Sequence, residues 1–274
     1  MSKKANGKKK SNLPIIIAVV VFLGFGGAFA YFAYDYYLWW QDGQRSQEQT
    51  NVVREIFWEQ MHQINHMVTT AQNNNPDQNT LHFDTSPLQN ARELTQNPDI
   101  VAYLFIEGTG ITNVVLQGPD NYFYLHHDMF GDPNVNGSLF VDFRNSPDFS
   151  DKNTIIYGHN MNNGTMFHNV RYYTNRYFLD NHPNVKVITD DTVFVYEVFS
   201  VFSTRVDFDY IQVFFEDDYE FEELLDEITR RDIHNLGIQV TTDDKMLILS
   251  TCTNVTQDTR YVVATRLIQT FNIQ

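Results

Sequence analysis

A single cysteine, Cys252, stands in the chain of 274 residues. One thiol excludes an internal disulfide framework, so cystine pairing says nothing here about redox compartment. Positive charge is scarce beyond the first ten residues. Five of the 19 basic residues are Lys3, Lys4, Lys8, Lys9 and Lys10, and the other 14 face 34 acidic residues. So acidic a surface argues against nucleic acid and against lying flat on anionic lipid. Internal repeats are lacking, as is the glycine signature of a nucleotide-binding loop. The acids Glu216, Asp217, Asp218, Glu220, Glu222 and Glu223 lack the spacing of a calcium loop and read as charges favoured at a helix start. His126-His127-Asp128 is not expected to bind metal, because adjacent histidines on a strand point to opposite faces. The expected cofactor and metal content is therefore none.

Aromatic residues are plentiful, with 22 Phe and 15 Tyr, which favours a β-rich interior. The N-terminal lysines precede residues 13–34, an apolar stretch of 22 residues without a charge. That length spans a bilayer as a helix, and lysines on its N-terminal side put the N-terminus in the cytoplasm and the remainder outside. Tyr31, Tyr34, Tyr36, Tyr37, Trp39 and Trp40 then read as an interfacial aromatic belt. Ala28-Phe29-Ala30 has the small-x-small form of a signal-peptidase site, but the apolar run is longer than a usual signal core. An uncleaved single-pass anchor is the expectation.

Val53, Ile56, Phe57, Met61, Ile64, Met67 and Val68 recur at helical spacing and predict a helix over about 44–70 whose apolar face docks on the downstream domain. Residues 71–80, rich in Asn and Gln, read as a linker, and Ser86-Pro87 opens a short helix ending near Asn97-Pro98. From Ile100 onward the texture becomes short apolar runs between turns. The candidate strands are 100–106, 113–117, 138–143, 154–157, 184–189, 192–204, 246–251 and 261–268. One helical insert interrupts them at 217–231, with Phe221, Leu224, Leu225 and Ile228 on one side. Eight short strands with one helical excursion suggest a closed barrel.

Three residues stand at predicted strand ends. Cys252 closes Leu249-Ser250-Thr251-Cys252, Arg260 opens Arg260-Tyr261-Val262-Val263-Ala264, and His159 follows Ile155-Ile156-Tyr157-Gly158. Taken alone, a lone cysteine is most often a small buried hydrophobe. Together, a thiol, an imidazole and a guanidinium are the parts needed for acyl transfer through a thioester: nucleophile, proton carrier and oxyanion stabiliser.

The combination resembles the sortases, the cysteine transpeptidases that attach proteins to the cell wall of Gram-positive bacteria. The resemblance runs from about Asn97 to Ile268, through Asn97-Pro98-Asp99-Ile100-Val101, Gly108-Thr109 and Gln117-Gly118-Pro119-Asp120-Asn121-Tyr122-Phe123-Tyr124-Leu125. It continues in Gly137-Ser138-Leu139-Phe140-Val141-Asp142-Phe143-Arg144-Asn145, Asn153-Thr154-Ile155-Ile156-Tyr157-Gly158-His159-Asn160-Met161, Thr165-Met166-Phe167 and the Cys252 segment. The helical insert ahead of the cysteine strand resembles class B in particular. The resemblance implies a mainly β fold: an eight-stranded sortase barrel with N-terminal helices and a helical insert before the catalytic strand. It implies a basic tail at 1–12, a signal-anchor at 13–34, a helical and linker region at 35–96 and a catalytic domain at 97–274.

It assigns His159, Cys252 and Arg260 to catalysis, and Asn121, Leu125, Tyr210, Ile211, Ser250 and Thr251 to a peptide groove. Core packing of Leu125 and turn capping by Asn121 are the plainer readings of those two. Thr253 stands where some class B members carry Glu, and Val206 where a polar groove residue is expected, so peptide preference does not transfer. The implied partners are surface proteins bearing a C-terminal sorting signal, the amine of a peptidoglycan precursor or a pilin lysine, and the membrane. Two other classes share these residues: a secreted cysteine hydrolase with water as acceptor, and a non-catalytic anchored domain in which Cys252 is merely buried.

Overall fold

A computed structural model describes residues 12–74, 80–82, 86, 88–252 and 258–274. Two compact units divide the chain, Met1–Asp42 and Gly43–Gln274. Helix α1 (Leu13–Asn74) begins in the first and ends in the second. The separate helix expected at 44–70 is thus the end of a longer one. No proline lies between Pro14 and Pro76, and nothing else in that interval forces a break. Within the first unit, Ile15, Phe22, Leu23, Phe25 and Phe29 are exposed, and the helix is long and apolar enough to cross a membrane.

In the second unit β1 (Thr80–Leu81) and α2 (Gln89–Thr95) precede the strands β2 (Ile100–Ile106), β3 (Ile111–Leu116), β4 (Leu139–Val141) and β5 (Asn153–Tyr157). A 3-10 helix (His168–Thr174) and α3 (Arg176–Asn181) follow, then β6 (Asn184–Ile188), β7 (Thr192–Arg205), α4 (Asp218–Arg230), β8 (Met246–Cys252) and β9 (Thr259–Ile273). The strand order β9-β7-β6-β2-β3-β4-β5-β8 closes on itself through β8–β9 pairing, giving an eight-stranded mixed barrel. The β3–β4 and β5–β8 pairs are parallel, and β1 adds in parallel to the C-terminal end of β9.

Period-two alternation splits each strand between two environments. On β2, Ala102, Leu104 and Ile106 fill the barrel interior, while Tyr103 and Phe105 face an outer layer. Ile64 and Val68 of α1 are buried in that outer layer, so this part of α1 docks on the strands as expected. The side chains of Val53, Ile56, Phe57 and Met61 lie outside the described residues. A third cluster forms where Phe221, Leu224, Leu225 and Ile228 of α4 cover Phe199 and Phe202 of β7 and Ile248 of β8. Asp217 caps α4, its side chain accepting the Glu220 N–H at 3.0 Å.

Three local expectations shift. The short helix begins at Gln89 rather than directly after Ser86, whose Oγ accepts the Leu88 N–H; Pro87 lies outside the described residues. Strand β4 stops at Val141, because Asp142 takes the Arg144 N–H on its own carboxylate and turns the chain. His126 lies in a bend and His127 in an isolated β-bridge to Pro133, instead of a strand. The His127 ring stacks on Phe123 at 4.1 Å, its Nδ1 is 2.8 Å from the Phe123 carbonyl, and His126 meets Tyr122 edge-on.

Candidate active site

The ends of β5, β8 and β9 meet the segments 121–125 and 206–211 around one cavity of about 380 Å³. His159, Arg260, Asn121, Leu125, Tyr210, Ile211, Ser250 and Thr251 all line it, so eight positions singled out in the sequence converge in space. Leu125 also packs into the outer core layer, so its plainer reading holds alongside the groove position.

Parallel pairing of β5 with β8 brings the histidine and cysteine segments together. Tyr157 registers with Ser250, and the Gly158 N–H continues the ladder to the Ser250 carbonyl at 3.2 Å. Space at Gly158 is tight: a Cβ there would run into Leu139 Cδ2 and stand 2.9 Å from the Phe167 ring, so a side chain would have to shift. The close approach seats His159 half-buried at the strand exit. Its Nε2 lies 2.8 Å from the Leu125 carbonyl oxygen, which can only accept, so Nε2 carries the proton. Nδ1 is then the basic nitrogen of the neutral ring. Burial holds the imidazole below its ordinary range; the Leu125 bond opposes this and His126 adds to it.

Cys252 ends β8, and its Cα registers with that of Arg260 at the start of β9. The antiparallel ladder thereby fixes which residue of β9 stands beside the cysteine backbone. The Cys252 side chain and Thr253 lie outside the described residues. Arg260 is half-buried and donates to the Thr259 carbonyl at 3.1 Å. Buried Ser250 shares a 2.8 Å hydrogen bond with the Tyr210 hydroxyl, while the buried Thr251 Oγ1 meets no partner among the described residues.

The facing wall contains groups that periodicity did not single out. Tyr157, Phe140, Phe208 and Asp209 line the cavity, as does Val206, which is 54% exposed. Behind them lies Asp142, fully buried, accepting from Asn121 Nδ2 at 2.9 Å, Tyr157 OH at 2.9 Å and Arg144 Nε and Nη2 at 2.8 Å each. Burial pushes this carboxyl up, and the Arg144, Asn121 and Tyr157 bonds outweigh it, leaving Asp142 below the ordinary carboxylate range. Arg144 Nη2 also donates to the Ile211 carbonyl at 2.8 Å. Among the described residues no three His, Cys, Asp or Glu side chains are grouped to hold a metal ion.

Comparison with known proteins bears on this geometry. The family model for the sortase domain matches residues 104–268. Sortase B of Listeria monocytogenes is 39% identical over 57% of this chain, and the match spans 63% of that protein, just under two thirds. Sortase B of Staphylococcus aureus is 34% identical over 63% of this chain and 72% of its own length. The Staphylococcus aureus sortase B–substrate complex superposes with a TM-score of 0.64 at 28% identity, covering 79% of this chain and 96% of that one. The matched span holds the ring strands from within β2 into β9, together with His159, Cys252 and Arg260. On that ground the chain belongs to the sortases, the cysteine transpeptidases, and within them to class B.

Proposed function

We propose that this chain is a membrane-anchored transpeptidase that cleaves a C-terminal sorting signal and joins the acyl fragment to an amine of a cell-wall precursor. The observation that carries the reading is the convergence of His159 and Arg260 on one cavity at the end of β8, where the Cys252 backbone pairs with Arg260. The Cys252 thiol gives its proton to neutral His159 and attacks the scissile carbonyl carbon. The tetrahedral oxyanion is held by Arg260, a donor worth about 3 kcal/mol of transition-state stabilisation in comparable sites. His159 then protonates the departing amine as the C–N bond breaks, leaving a thioester on Cys252. An incoming amine attacks the thioester, passes its proton back through His159 to the departing thiolate, and a new amide forms.

Asn121, Leu125, Tyr210, Ile211, Ser250 and Thr251 are proposed as the peptide groove, with the Thr251 hydroxyl offered to a peptide group. The domain plan that goes with this reading is a basic tail at 1–12, an anchor at 13–34 with its N-terminus in the cytoplasm, a helical region at 35–96 and an extracellular catalytic domain at 97–274. The lysine cluster ahead of an uncharged run supports that orientation.

The test is cleavage of a sorting-signal peptide from a surface protein of the same genome, with and without added glycine oligomers. A new amide product supports transfer. Hydrolysis alone, unaffected by amine, makes the chain a cysteine hydrolase instead. Cys252→Ala must abolish cleavage with circular dichroism unchanged; a folded, active variant removes the thioester.

A further inference from the structure

The buried carboxylate behind the cleft is a feature that the thioester chemistry does not use. We infer that Asp142 is a positioning residue that fixes the width and polarity of the peptide cleft. It acts through three side chains: Asn121 on one lip, Tyr157 on the floor, and Arg144, which ties down the opposite lip at Ile211. The inference rests on the transpeptidase reading for its substrate, and the geometry stands on its own.

Both oxygens of Asp142 are engaged. Oδ1 takes the Arg144 backbone N–H at 3.0 Å and Nε at 2.8 Å, while Oδ2 takes Asn121 Nδ2, Tyr157 OH and Arg144 Nη2. An unpaired buried carboxylate is costly, so these donors are held as a set. Asn121 is fixed in its flip as well, because its Oδ1 accepts the Phe143 N–H at 3.0 Å while Nδ2 donates to Asp142. Its second N–H is left to present to a bound peptide. On the far side, Arg144 spans from the Asp142 carboxylate to the Ile211 carbonyl, linking two segments that are 67 residues apart in sequence. Asn153 Nδ2 adds bonds to the Tyr210 and Gln212 carbonyls at 3.0 and 2.8 Å, so the 210–212 segment is pinned at three successive carbonyls. Lys in place of Arg144 keeps the charge but has no planar fork to serve both acceptors.

The experiment uses the full chain, the fluorogenic sorting-signal peptide, and iodoacetamide labelling of Cys252, which is unambiguous because no other thiol exists. Asp142→Asn and Arg144→Gln are each expected to raise KM about tenfold, the size of one lost positioned hydrogen bond, with kcat within about twofold. Peptide protection of Cys252 from iodoacetamide shifts to about tenfold higher peptide, while labelling without peptide keeps its wild-type rate. Arg144→Lys falls between wild type and Arg144→Gln. Arg144 is partly exposed, so its variants read the network even where Asp142→Asn does not fold. An unchanged KM and protection midpoint in Arg144→Gln overturns the proposal. So does an equal loss in kcat with slowed labelling, which would make the network a support for the reacting groups. Wild-type protein that is labelled and protected yet never turns the peptide over refutes the transpeptidase reading, while the protection midpoints still judge Asp142.

Discussion

His159 Nε2 donates to the main-chain carbonyl of Leu125 at 2.8 Å, across 34 residues of sequence. A carbonyl oxygen accepts a hydrogen bond but cannot donate one, so this contact settles the tautomer without contributing charge. The segment 121–125 therefore both walls the cavity and orients the imidazole.

A pH dependence follows. With burial holding His159 below the ordinary 6.5, the unfolded chain binds the extra proton first as pH falls. This residue's share of stability is therefore complete above 6.5 and declines as pH drops through the window toward the folded value. NMR titration of the ring protons is expected to give a midpoint below 6.5, and wild type minus His159→Gln stability is expected to fall through the same window. A midpoint at or above the ordinary value would contradict a neutral resting imidazole.

Gly158→Ala is expected to cost about 1–3 kcal/mol, as overpacking at a rigid site does. The new methyl meets Leu139 and Phe167 side by side, so the β5 exit shifts and carries His159 with it. Denaturant melts measure the stability loss; kcat of the folded fraction is expected to fall with it. A variant of wild-type stability and rate would show that the two side chains give way freely.

Arg260→Lys is expected to lose about a hundredfold in kcat/KM, because one ammonium does not replace a fork that holds an oxyanion and a neighbouring carbonyl. Arg266, further along β9, pairs with Glu197 at 2.9 Å and registers with Met246, four strand positions before Ser250. Arg266→Lys is expected to stay within about twofold, in keeping with a partly exposed ion pair. Equal small losses at both positions would reduce Arg260 to general positive charge.

The N-terminal anchor is expected to be retained. Mass measurement of the mature protein checks this, and a new N-terminus near Tyr31 would mean that Ala28-Phe29-Ala30 is cut.

The ring strands are legible in the sequence because apolar and β-branched residues alternate between two buried faces, as Leu104 and Phe105 do on β2. His159, Cys252 and Arg260 stand out at strand ends, whereas Asn121, Leu125, Tyr210 and Ile211 lie between strands and are picked out only by the resemblance to the sortases. Less of the cavity's support is visible. Asp142 reads as the tail of a strand, since nothing local reveals that Asn121, Tyr157 and Arg144 converge on it. Strand β1 has two residues and exists only because β9 offers it an edge. The helices at 168–181 escape periodicity because Val170, Tyr173 and Leu179 reach the barrel core from short turns without a sustained apolar face.

Strand β9 holds the ring and the cleft together. It runs 15 residues, pairs with β7 along one edge, and takes β8 and then β1 on the other. Its pairing with both β7 and β8 is what closes the sheet into a cylinder. Without it, β7 and β8 would present bare edges, and such edges invite pairing with other chains. Arg260 is carried by the same strand, so an open ring has no complete cleft. Closure of the ring and completion of the cleft therefore depend on one and the same strand.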